Sequence, residues 1–298
     1  MVERISFHDE IRNNQIKSFF LVIVIFFFFV LLGYVIALAL DPGYFFIIMI
    51  FSIIFSLSYI LITYYNSGKI AIASVKAKEA SHTEHRMLYH AVENMSIASG
   101  MPMPKVYVME SEQINAFASG RDPKNSVICV TTGALKKLSK GELEGVIAHE
   151  MGHVANYDIK FMTLTAVMVG LISIIAQIFL RSLWFRSDRD NRTGIIILVI
   201  AVLMAILAPL FAQLVSFAIS RKREYSADAT AVKFTRYSPG LKNALVKIKK
   251  EVVPEKDKKR YSKALAPLFM ADPYKKKIQN LFSTHPPIDE RIKKLERM

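Results

Sequence analysis

Residues 18–40 (SFFLVIVIFFFFVLLGYVIALAL) and 44–64 (YFFIIMIFSIIFSLSYILITY) carry no charged side chain. Each is longer than the roughly 18 apolar residues a helix needs to cross a bilayer. Only Asp41-Pro42-Gly43 separates them, so the pair predicts a helical hairpin with both ends on one side of a membrane. Arg4, Arg12 and Lys17 before the first stretch and Ala37-Leu38-Ala39 at its end resemble a cleaved signal peptide. The apolar run nevertheless exceeds the roughly 7–15 residues of a signal core and a second span follows at once, which favours a retained anchor. Lys69, Lys76, Lys78 and Arg86 follow the second span, and positive charge on both flanks assigns both to the cytoplasmic side of an inner membrane.

Hydrophobic residues make up 52% of the chain, above the soluble average, so the lipid bilayer is an expected partner. A net charge of +14 raises nucleic acid as another, but the Lys and Arg residues are scattered around no recognised nucleic-acid module. No nucleic acid is expected, and attraction to anionic headgroups accounts for the excess. The single cysteine, Cys129, lies in an apolar strand-like run. It can build neither a disulfide framework nor a thiolate metal site, which agrees with a reducing compartment.

Beyond the spans, residues 69–100 read as a helix stopped at Ser99-Gly100. KVYVME (105–110), NAFAS (115–119) and SVICVTT (126–132) are short, β-branched or aromatic, and divided by turn residues, which predicts a small antiparallel sheet. Ser139 and Glu142 have the spacing of a capping box, opening a helix that contains VIAHEMGHVANYD (146–158). Segments 161–180 and 194–220 are again apolar and predict a second hairpin, although four arginines in the joining loop oppose an outward placement. The Lys-rich stretch 249–277 reads as a solvated face. The expected division is an N-terminal segment (1–17), a first hairpin (18–64), and a catalytic unit in two parts (65–160 and 221–298) separated by the second hairpin (161–220).

On a helix, His149 and His153 project from one face and can hold one metal ion, with Glu150 beside them. Two histidines of an ordinary core helix would look the same, but Ala148 and Gly152 leave room for a neighbouring element to approach them closely. Glu142 and Glu144 read as solvent-facing charges. A hydrolytic zinc site needs a third protein ligand and an open position. His8, His82, His85, His90 and His285 lie where surface histidines are common. Glu224 and Asp228 in RKREYSADATA (221–231) share one helical face and are stronger candidates. HEMGH ends just before the third apolar segment and Glu224 follows the fourth. An up-and-down hairpin would therefore bring both helices out side by side, with Glu224 as third ligand and Asp228 placed to accept a histidine ring N–H.

GMPMPKVYVME, NAFASGRDP, VTTGAL, ELEGVIAHEMGHVANYD, SRKREYSADATA and STHPPIDERIKKL, with the paired N-terminal spans, resemble the HtpX-type membrane zinc proteases, relatives of the CAAX prenyl proteases. The resemblance covers almost the whole chain. It implies an integral membrane protein, mostly α with a small antiparallel sheet, with a cytoplasmic gluzincin-like HExxH domain. It implies one Zn2+ held by His149, His153 and Glu224, Glu150 as catalytic base, and polypeptide substrates, misfolded or membrane-embedded. Asn115, Ala116, Phe117 and Ala118 resemble the family's substrate edge strand, and His285 with Arg291 resembles an element near its active site that would meet the oxyanion or substrate.

On that basis zinc would lower the pKa of its water toward about 7 and Glu150 would take the proton as water attacks a peptide carbonyl. An intramembrane protease is a poorer fit, because Asn156, Tyr157, Asp158 and Lys160 follow the motif directly and place it at the interface. A prenyl-peptide protease would need more spans to enclose a chamber, and a zinc-bearing scaffold would normally close its site with four protein ligands.

Overall fold

The computed structural model describes residues 7–39, 42–168, 170, 221–251, 265, 268–271 and 286–298. The second predicted hairpin beyond residue 170, His285, the His8 side chain and most of the Lys-rich stretch lie outside these.

Helices α1 (Phe7–Ala39) and α2 (Phe45–Ser74) fold back along one another, with Gly33 against Ser52 and Phe29 against Phe55 and Tyr59. Their side chains are distributed inside out. Phe46, Ile47 and Phe51 are 77%, 65% and 67% exposed, while Ser52, Ser56, Thr63 and Ser67 are buried. That pattern suits helices solvated by lipid, where small polar residues line the helix contact and apolar ones face outward. Asn14–Ala37 and Phe45–Ser74 are both long and apolar enough to span.

The helix expected over 69–100 is two elements. α2 ends at Ser74, where Lys76 turns the chain with φ +54° and Ala77 N–H donates to Ile72 O at 3.1 Å. This left-handed stop is carried by a lysine rather than glycine, so the sequence gives no sign of it. Strand β1 (Lys78–Glu79) follows, then α3 (Arg86–Ser99). Gly100 at φ +68° ends α3 in the left-handed conformation that favours glycine.

β1, β2 (Lys105–Met109), β3 (Ala116–Gly120) and β4 (Ser126–Thr131) form one sheet in the order β1-β2-β4-β3. It is mixed, which corrects the antiparallel expectation: β2 and β4 are parallel, pairing Val106 with Ile128 and Val108 with Val130. The cause is the hairpin after β3. Asp122 accepts Asn125 N–H at 2.8 Å and tightens the turn, so β4 returns between β3 and β2 and runs in the direction of β2. Alternation then divides the strands. Val106, Val108, Ala118, Ile128 and Val130 face α3 and the later helices, while Met109, Phe117 and Cys129 face Ala71 and Ile72 of α2 together with Leu268 and Phe269.

Following the short α4 (Thr132–Lys137), α5 (Lys140–Ala155) begins at a complete capping box in which Ser139 N–H donates to Glu142 at 2.7 Å. Glu142 is buried rather than solvent-facing, held also by Lys247 at 2.6 Å. From Leu143 to Val154, apart from half-buried Glu144, α5 is enclosed by the sheet, α3, α6 (Arg221–Thr235) and α7 (Ser238–Lys250), with α8 (Ile288–Leu295) packed on the last two. Glycines permit two close approaches: Gly145 lies against Gly240 and Leu241, and Gly152 against Ala227. A Cβ at position 145 would stand 2.4 Å from the Leu241 backbone nitrogen, which no rotamer change relieves. Gly145→Ala should therefore destabilise the protein by about 1–3 kcal/mol, read as a lowered melting temperature in detergent; an unchanged Tm would mean that α7 yields without cost.

Candidate metal centre

Two helices build the centre. α5 presents His149 and His153 from one face, their ring centroids 4.8 Å apart, and α6 presents Glu224 from its first turn. One ligand atom from each of the three lies within 4.8 Å of the others, and all three residues are buried. Glu224 Oε2 is 3.8 Å from His149 Nε2, and Glu224 Oε1 is 3.4 Å from His153 Nε2. Both imidazoles thus turn Nε2 to a common point, as ligands of one ion do.

The opposite ring nitrogens are held from behind. Asp228 Oδ1 lies 2.9 Å from His149 Nδ1, and Arg291 from α8 grips the same carboxylate through Nε at 2.9 Å and Nη2 at 2.6 Å. Asp158 Oδ2 lies 3.0 Å from His153 Nδ1, and Asn14 Nδ2 of α1 donates to Asp158 Oδ1 at 2.7 Å. Each histidine therefore has a carboxylate partner that fixes its orientation and tautomer.

Glu150 is 1% exposed. Ala118 N–H donates to its Oε2 at 2.8 Å, and Oε1 meets no hydrogen-bond partner among the described residues. Burial pushes the Glu150 carboxyl upward, with Glu224 adding to the effect, although both histidines oppose it. Burial would strip charge from His153, but the Asp158 and Glu224 carboxylates outweigh it and lift the imidazole to about 10. Burial also works against ionised Asp228, yet the Arg291 guanidinium, with His149, holds its carboxyl low. Four buried carboxylates, Glu150, Asp158, Glu224 and Asp228, face two buried guanidiniums, Arg223 and Arg291. Uncompensated buried charge is costly, and His149, His153 and Glu224 bring together donor atoms that a divalent cation would take. The residues present fit such an ion.

Other expected site residues fall as follows. His85 accepts Ser81 N–H at 3.2 Å and His90 stands 3.6 Å from Glu93, so neither joins the cluster. Asn115 to Ala118 lie at and within β3, an edge of the sheet, and are buried. Arg291 is 1% exposed, with Nη1 3.2 Å from Glu224 Oε2. Sequence reasoning missed Asp158 and Asn14. The sequence reading places Asp158 among interfacial polar residues, although a carboxylate five residues after a candidate ligand is a usable signal. Asn14 had none, because its partner is remote in sequence.

Residues 82–298 match the family model described as Peptidase family M48. Three proteins described as Protease HtpX homolog are similar over most of the chain. That of Dictyoglomus thermophilum is 42% identical, covering 98% of this chain and 95% of the relative. That of Caldanaerobacter subterraneus subsp. tengcongensis is 44% identical over 86% and 89%, and that of Streptococcus uberis 36% identical over 98% and 99%. The crystal structure of S. mikatae Ste24p overlays with a TM-score of 0.48 at 20% identity, covering 95% of this chain and 66% of that one. With the paired apolar helices and the His-His-Glu cluster, the family match and the HtpX relatives identify the chain as a membrane metalloprotease belonging to peptidase family M48, of the HtpX type.

Proposed function

We propose that the chain is a zinc-dependent endopeptidase that hydrolyses misfolded or membrane proteins at the cytoplasmic face of the cell membrane. One observation carries this: Glu150, with a carboxylate oxygen that meets no hydrogen-bond partner among the described residues, stands beside three convergent ligand groups and against an edge strand. His149 Nε2, His153 Nε2 and the Glu224 carboxylate would hold zinc, which when bound supplies Lewis acidity to water and to the peptide carbonyl.

The chain's own groups do the rest. Asp228 and Asp158 keep the two ring N–H groups turned away from the ligand side. Glu150 accepts the water proton on Oε1 and returns it to the leaving amine nitrogen. Burial, which favours the protonated carboxyl, suits that return. Arg291, fixed by Asp228, offers Nη1 to a carbonyl of a chain lying along β3. An extended substrate added to that edge is held through its backbone, which favours broad sequence specificity. A structural metal would normally be closed by four protein ligands, whereas three converge among the described residues, which favours hydrolysis over a zinc-bearing scaffold.

Glu150→Gln should retain zinc while proteolysis of unfolded casein falls by about 10²–10⁴-fold; activity within tenfold of the parent would remove Glu150 from the role. Asp158→Asn should lower zinc affinity about 10–100-fold, measured as the chelator concentration that strips half the metal. Asn14→Ala should shift it in the same direction by less. No shift in either variant would reduce Asp158 to a packing residue. Orientation is testable with Cys129 replaced by Ala and single cysteines at Glu93 and Lys233, both exposed. Impermeant maleimide should reach both only from the cytoplasmic side, and outside labelling at either would overturn the assigned face.

A further inference from the structure

Strand β3 offers the Ala116 carbonyl on the side away from β4, and the chain itself has taken it. Met270 N–H donates to Ala116 O at 2.9 Å. Asn115 clamps the next residue from both sides, its Nδ2 donating to Ala271 O at 2.8 Å and its Oδ1 accepting Ala271 N–H at 3.2 Å. Phe269 sets its ring edge-on to Phe117, centroids 5.4 Å apart. Residues 269, 270 and 271 thus lie opposite 117, 116 and 115, the order of an antiparallel strand. The Met270 carbonyl faces Arg291 Nη1 at 3.4 Å, the guanidinium that binds Asp228 and lies 3.2 Å from Glu224. Leu268, Phe269 and Met270 are all at most 3% exposed.

We propose that residues 268–271 are an internal pseudosubstrate: a strap that occupies the substrate edge of β3 and must leave before a polypeptide can be cut. This rests on the endopeptidase reading of the site. An incoming chain needs the Ala116 carbonyl, the Asn115 amide and Arg291, and each is already engaged by the strap. A second chain cannot lie where residues 269–271 lie, because they already hold the Ala116 carbonyl and the Asn115 amide. The apolar sequence Leu-Phe-Met-Ala also suits the strap's position. Leu268 and Phe269 are buried with Phe117 and Met109 on the face of the sheet nearest α2, and Met270 and Ala271 join the core on the other face, where an extended apolar segment from a misfolded protein would find the same contacts.

An enzyme whose competent form is a minority binds its substrate more weakly by that fraction, so weakening the strap should lower KM. Phe269→Ala removes the ring anchor and Met270→Pro removes the N–H given to Ala116. In the full-length, zinc-loaded protein in detergent, each should lower KM for unfolded casein by about tenfold with kcat little changed. Melting curves show whether Met270→Pro is folded, and Phe269→Ala keeps the test open if it is not. An unchanged or raised KM in the folded variants would overturn the strap and make the segment part of the substrate-binding framework. A second readout needs no turnover. In a Glu150→Gln, Cys129→Ala background, a cysteine replacing Met270 should resist maleimide alone and react several-fold faster once unfolded casein is added. Casein-independent reactivity would overturn the strap. If no variant shows Glu150-dependent cleavage, the endopeptidase reading fails, and the thiol result alone then upholds or overturns the strap.

Discussion

The burial of four carboxylates around His149 and His153 is the constraint on which the rest of the structure depends. Charge survives in a protein interior only when it is paired and hydrogen-bonded. Asp228 is stabilised by Arg291 and His149, Asp158 by His153 and Asn14. Glu150 is held by a strand N–H, and Glu224 stands between both histidines and Arg291. The pairings draw separate pieces of chain inward: α1, β3, α8 and Asp158 just after α5 each contribute one group and α6 contributes two. The polar centre therefore orders elements that an apolar core alone would leave free to slide.

Close approach makes that convergence possible. α5 is a helix without a solvent face along most of its length, and its neighbours come near enough for Glu224 to reach two imidazoles because positions 145 and 152 lack side chains. The capping box at Ser139 and Glu142 fixes where α5 starts, and hence the angular position at which His149 and His153 emerge. Sheet and helix meet through Ala118 and Glu150, so the strand proposed to bind substrate is joined to the residue proposed to move the proton by one hydrogen bond of 2.8 Å.

Local spacing made much of this legible in the sequence. His149 and His153, and Glu224 and Asp228, are each one helical turn apart, so the side chains had to share a face; the capping box and Gly100 are signals contained within a few residues. What sequence could not disclose depends on pairing across distance. The parallel match of β2 with β4 follows from a strand inserted between two others, which alternation does not encode. β1 is two residues long and leaves no periodic trace. Asn14 and Met270 acquire their roles only from partners that folding brings to them, over separations that no spacing rule covers.

The bond from Asn14 to Asp158 has a practical meaning for how such a chain is handled. α1 is usually regarded as the removable part of a membrane enzyme, a tether to be trimmed so that the remainder dissolves. Here the trimmed piece would carry away a donor that lies two hydrogen bonds from a candidate metal ligand. A fragment beginning after the first hairpin would therefore differ in its chemistry as well as its solubility, and rates measured on it would describe a centre lacking one of its own supports.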